Sequence, residues 1–286
     1  LNGSLLWNVF GGEMEKNRWV VISDRNSTLT VEAKKEGLRT LEIPEKVGGR
    51  FSVFTTAGLL PLRYLTGNLA SLLEGARDMA DKCLEDAPGN LALIGASALV
   101  HAKEQGFRIH DTFLFQPSLE SLGKWYRQLL AESLGKEKDR AGKAVREGIL
   151  PTVSIGSTDL HSIGQLYLGG PRMSFTSFIS LTEPKDSPMP LREETLWEKV
   201  VPAIRGKTPQ KLMASIRGGV EKAYIGRDLS FIDIQLDSLS LHEIGAFMQW
   251  KMIEVMLVGE LLNVNAFDQP AVELYKTETR RILDGK

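Results

Sequence analysis

Short apolar runs alternate with longer helical ones along this chain, and no other feature narrows its possible folds as much. Strands are predicted at 19–23 (WVVIS), 39–43, 108–115 (RIHDTFLF), the start of the 148–171 stretch, 172–181 and 229–236 (LSFIDIQL). Helical spacing fills 27–36, 68–84, 90–103, 119–134, 191–203, 208–225 and 240–262. Parallel neighbours need a long crossover, usually a helix, so this order specifies an α/β fold with a mostly parallel sheet. Ser27, Asn68 and Asn90 are placed to cap helices, Gly37 and Gly135 to end them, and Ser240 with Glu243 forms a capping box. The 240–262 helix is apolar nearly all round and so belongs inside, with Met248, Met252 and Met256 as core filler. His101, His110 and His242 read as surface or structural residues. Pro44 opens a loop at 45–52, 184–190 is a Pro-rich linker, and the charged, unpatterned 137–147 is expected to be an exposed loop or short helix.

With 286 residues and 42% hydrophobic content, the chain can bury one large core or two modest ones. Its 35 Lys+Arg against 36 Asp+Glu give a net charge of −1, so nothing electrostatic points to nucleic acid. One cysteine, Cys83, excludes an intrachain disulfide framework and a multi-Cys metal site, and fits a reducing, cytoplasmic setting. No run of about 18 apolar residues is present to span a membrane. The start, LNGSLLWNVF, has no initiator Met and no basic n-region with a cleavage pattern. The chain is therefore expected to be processed or cut from something longer.

Four stretches carry possible chemistry, and each also has a plain structural reading. In NVNAFDQPAVELYK (263–276), Asp268 or a neighbour can cap a helix and Pro270 suits its first turn. Gln269, Glu273 and Lys276 then share a face, with roughly 10 Å of rise along it, about the span of a small phosphorylated sugar. The helix start favours an anion and the Lys can work at the ligand's other end, or the Lys pairs with the Glu on a surface helix. In EKVGGRFS (45–52), Gly48 and Gly49 permit close backbone approach to a ligand beside Arg50, or form a turn with a surface Arg. In LLAESLGKE, Glu132 lies in the last turn of a helix, where an acidic residue opposes the helix dipole; it marks a functional site or is a solvated carboxylate. In GILPTVSIGSTDLHSIGQLYLGGP (148–171), His161 follows a strand and tight turn in the first turns of a helix, where open α/β sheets place ligands. A His there is also a common packing residue.

All four stretches resemble signatures of the glucose-6-phosphate isomerase family, and they occur in the family's order. Phe267-Asp-Gln with Val272-Glu and Lys276 is similar to its C-terminal signature, with Ala271 where the family usually has Gly. Glu45-x-Val-Gly-Gly-Arg-Phe-Ser resembles its first signature, Gln128-Leu-Leu-Ala-Glu-Ser-Leu-Gly-Lys the block with its base, and GSTDLHSIGQL the block with its His. The earlier SLESLGK offers Glu120 as an alternative base. Glu132 is preferred because Trp125-Tyr-Arg-Gln-Leu upstream also fits.

The resemblance implies a sugar-isomerase (SIS) fold, a doubly wound, mostly parallel sheet flanked by helices. It also implies interconversion of glucose 6-phosphate and fructose 6-phosphate, with no cofactor and no metal. Lys276 and His161 would open the ring, Glu132 would move the proton between C1 and C2, and Arg50 would stabilise the enediolate. Gly49 and Gln269 would bind substrate, Gln269 at the phosphate. The family's His reaches the neighbouring subunit's site, which implies a homodimer. The family's first lobe also carries a glycine-serine motif and a Ser-Lys-Ser/Thr-Gly-Thr-Thr phosphate loop. Neither FGGEM (10–14) nor DRNSTLT (24–30) replaces them. The expected organisation is a remnant of the first lobe with the active-site loop at 1–54, a second lobe at 55–262 and an active-site helix at 263–286. Two other readings remain: a non-catalytic SIS module that binds sugar phosphate, and a lobe of a larger fusion enzyme.

Overall fold

A computed structural model describes residues 16–182 and 199–285. The FGGEM segment, the 184–190 linker and most of the 191–203 helix lie outside the described residues. The chain divides into two compact units, Leu1–Leu73 and Glu74–Lys286.

In the first unit, β1 (Val20–Asp24) and β2 (Arg39–Ile43) pair in parallel, with Ile22 opposite Leu41. Helix α1 (Thr28–Lys35) makes the crossover between them. Ser27 caps it by accepting the amide of Thr30 at 3.1 Å, and Gly37 takes the left-handed conformation (φ 72°) that ends it. The loop after Pro44 is shorter than its sequence suggests, because Gly49–Phe54 winds into 3-10 turns. Helix α2 (Thr56–Thr66) follows, capped by Thr55 and ended by Gly67 at φ 74°.

The second unit is built on a four-stranded parallel sheet in the order β6-β3-β7-β8: Leu150–Ile155, Ile109–Leu114, Ser174–Leu181 and Phe231–Leu236. Helix α3 (Ala70–Leu84) enters this unit at Glu74; it, α4 (Leu91–Glu104), α5 (Glu120–Leu134), α6 (Gly164–Gly169), α7 (Pro209–Gly226) and α8 (Leu241–Leu261) flank the sheet, and α9 (Val272–Leu283) is the last helix. Successive side chains of a strand face opposite ways, so the sheet carries two cores. Leu114 packs with Ile179, Ile234, Phe247 and Trp250 under α4, α5 and α8. Phe113 packs with Phe178, Tyr167 and Tyr224 under α6 and α7. Burial on both faces explains why β3 and β7 read as continuous apolar runs.

The segment 137–147, expected to be a loop or short helix, is instead an antiparallel hairpin of β4 (Lys136–Lys138) and β5 (Ala144–Glu147). Its strands carry charged side chains and lie outside the main sheet, so they lack the apolar alternation that marks a half-buried strand. The Asp139 carboxylate organises the turn by accepting the amides of Ala141 and Lys143, each at 2.9 Å. Arg140 fastens the hairpin to the end of α8: Nη1 donates to Glu260 at 2.5 Å and Nε to the Val264 carbonyl at 3.2 Å.

Candidate active site

Glu132 occupies the last turn of α5. Gly135 follows as the C-cap, extended rather than left-handed (φ −70°, ψ 94°), and turns the chain directly into β4. The helix therefore stops before the amide of residue 136 can reach the Glu132 carbonyl. The side chain of that residue serves instead: Lys136 Nζ donates to the Glu132 carbonyl at 2.9 Å. The same ammonium donates to the Asp268 carbonyl and lies 3.1 Å from the Asp268 carboxylate. Gln128, one turn back along α5, donates to the Glu132 carboxylate at 3.3 Å.

Asp268 thus does not cap a helix. Its carboxylate accepts from Asn265 Nδ2 at 2.8 Å, and α9 begins only at Val272, after turns in which Gln269 and Pro270 accept amides three residues on. Gln269 stands just outside the helix that was expected to carry it. It nonetheless lines a cavity together with Glu132. Glu132, Lys136, Gln269, Pro270, Ala271 and Leu274 line one cavity of about 400 Å³. A larger cavity of about 660 Å³ shares Lys136 and Pro270 and extends over Lys138, Arg140 and Asn265.

Lys276 lies on α9 with Nζ 2.7 Å from Glu273 Oε1, the surface pairing that the sequence left open. That hydrogen bond raises the ammonium above its ordinary pKa and lowers the carboxylate, so Lys276 is held protonated. Glu120 is exposed at the opposite end of α5 from Glu132 and pairs with Lys124 at 2.6 Å.

His161 is not inside a helix. It ends the 3-10 turn Thr158–Leu160, ahead of α6, and its side chain is exposed. Asp159 fixes this turn by accepting the Ile155 amide at 2.7 Å and the Ser162 hydroxyl at 2.7 Å. In the first unit, the exposed Gly49 has nothing within 4 Å of where a Cβ would be, so its backbone is open to approach. Arg50, 1% exposed, carries its guanidinium 5.3 Å from the Phe51 ring centroid.

Lys136 is not among the residues that the sequence marks as functional, although it sits within the string around Glu132. The available signal was a lysine just past a helix-ending glycine, where a cation can bond the last carbonyls. Among the described residues, no group of His, Cys, Asp and Glu is arranged to hold a metal ion, and no helix is long and apolar enough to cross a membrane.

The family model for phosphoglucose isomerase matches residues 14–286. The chain is 34% identical to a glucose-6-phosphate isomerase of Methanocaldococcus jannaschii over 94% of its length, and it spans 64% of that relative. A crystal structure of a hypothetical protein from Thermus thermophilus superposes with a TM-score of 0.89 at 30% identity, covering 98% of this chain and 67% of that one. A glucose-6-phosphate isomerase from Chlamydia trachomatis shares the fold, with a TM-score of 0.86 at 18% identity over 99% of this chain and 56% of that one.

Proposed function

Because this chain belongs to the phosphoglucose isomerase family, we propose that the protein containing it interconverts glucose 6-phosphate and fructose 6-phosphate. The observation that carries this reading is the joint cavity of Glu132 and Gln269, residues far apart in sequence. A carboxylate and a neutral amide there match the two demands of the reaction, a base for the proton beside the carbonyl and a donor for the phosphate end. Glu132 is the base, and such a group contributes about 10²–10⁴-fold. Lys276, kept protonated by Glu273, is the acid at the ring oxygen, and His161 the base at the anomeric hydroxyl. Arg50 stabilises the enediolate, whose charge develops only along the reaction path, and Gly49 gives the substrate backbone access. No step calls on a cofactor. The protein works in the cytoplasm, in glycolysis and gluconeogenesis, as a homodimer in which each His161 serves the partner's site.

The test is a coupled assay of the full-length protein beside Glu132→Gln, with solvent deuterium incorporation at C2 and anomerisation of fructose 6-phosphate followed in parallel. Glu132→Gln should lose isomerisation and deuterium incorporation while anomerisation persists. Retained deuterium incorporation would place the base elsewhere, with Glu120 examined next. A wild-type protein without isomerase activity would end the reading.

A further inference from the structure

We propose that Lys136 is the positioning residue of this site, a single buried cation that sets the base and the phosphate-binding residue relative to each other. This inference rests on the isomerase reading of Glu132 and Gln269.

An ammonium has three N–H donors. The acceptors around it include the Glu132 carbonyl, the Asp268 carbonyl and the Asp268 carboxylate. The Lys136 side chain is 4% exposed, and a charge so removed from water persists only when its bonds are met. The partners lead to two different parts of the cavity lining. Glu132, in the last turn of α5, lines it directly, and Asp268 immediately precedes Gln269, which also lines it.

Helix ends fray, and a catalytic carboxylate in a last turn inherits that motion. Bonding the carbonyl of Glu132 itself fixes the peptide plane that directs its Cα–Cβ bond. Bonding the carbonyl of Asp268 fixes the peptide that leads into Gln269. One side chain thereby removes two independent freedoms, and it also supplies the positive charge favoured at a helix C-terminus. Lys136 need not touch substrate for this effect, because misplacing a base by about 1 Å can cost roughly 10²-fold.

The experiment uses Lys136→Met in the full-length protein, which keeps length and removes the donors. Isomerisation and anomerisation of fructose 6-phosphate are measured together on folded protein. We expect isomerisation to fall about 10²-fold while anomerisation changes less than roughly threefold, because ring opening uses His161 and Lys276 instead. Parallel loss of both rates would show a general structural role and overturn the proposal, as would no change in either. If Lys136→Met does not fold, Lys136→Arg, whose planar fork cannot reproduce a point ammonium, is read by the same ratio and the same criteria. Wild-type protein lacking isomerase activity would sink the functional reading, whereas an unchanged ratio in active protein sinks only the role of Lys136.

Discussion

Tyr126 donates a 2.7 Å hydrogen bond to Glu254, joining the middle of α5 to α8 inside the core. Glu254 is 1% exposed and also accepts from Lys251 at 2.8 Å, one turn back on its own helix. The Lys251 ammonium lies 4.0 Å from the Trp250 ring centroid and 5.1 Å from that of Tyr126. The helix that carries Glu132 is therefore anchored by a buried ion pair with aromatic walls.

Breaking that pair should be expensive. Lys251→Met leaves the Glu254 carboxylate uncompensated, and we expect about 3–5 kcal/mol of lost stability. Adding Glu254→Gln should return part of it, because the stranded charge is then gone. Urea midpoints of the single and double variants check this. A single variant as stable as wild type would mean that the pair contributes nothing.

Gly95 is the backbone counterpart of the same contact. A Cβ at Gly95 on α4 would fall 1.9 Å from Glu254 Oε2 and 2.8 Å from Cδ. Since Glu254 is held on two sides, Gly95→Ala must move a helix or release the carboxylate, at about 1–3 kcal/mol. Thermal melts should show the drop, and combining the change with Glu254→Ala should make it smaller than in the wild-type background.

His110 gives the unit an acid limit. Burial, followed by the nearby charge of Lys251, pushes the imidazole pKa down to about 3, and its Nε2 is 2.9 Å from Ser177 Oγ. The unfolded chain takes a proton near pH 6.5 while the native state does not until about 3. Stability is thus complete above about 6.5 and lost as pH falls through that window, by up to about 1.4 kcal/mol per unit. Unfolding free energies at neutral and mildly acid pH should differ less in His110→Gln than in wild type. Equal slopes would show that His110 titrates normally.

The proposed homodimer with shared sites predicts complementation, and the exposed turn of His161 is compatible with it. Mixing inactive His161→Ala and Glu132→Gln subunits of the full-length protein should restore activity, because one site per mixed dimer regains both residues. No recovery after demonstrated subunit exchange would argue that each subunit uses its own His161.

Much of the frame was legible because short-range chemistry dictates it. The 39–43 strand was read to the residue, and Ser27, Asn90 and Ser240 cap the helices they were expected to cap. Glu132 and Gln269 were singled out through their strings and not through spacing, since Gln269 lies outside the helix that spacing assigned to it. The less legible features depend on distant partners. Periodicity marks which face is apolar, so it describes α8 correctly as buried but cannot show that Lys251 and Glu254 are buried with it. The 136–147 hairpin likewise owes its place to Arg140 and Glu260, residues far apart in the chain. Lys136 was hidden for the same reason, as Asp268 is its distant partner.

The hairpin grips the segment after α8 mostly by its main chain. Lys136 holds the Asp268 carbonyl, Arg140 Nε the Val264 carbonyl, and the Arg140 amide the Asn263 carbonyl at 3.0 Å. Every residue type presents the same carbonyl oxygen, so the contacts to Asn263 and Val264 do not themselves read a side chain. Side-chain identity at the buried Val264 and Ala266 is therefore set by packing and not by the hairpin, while the two cations fix the path of the segment into Gln269.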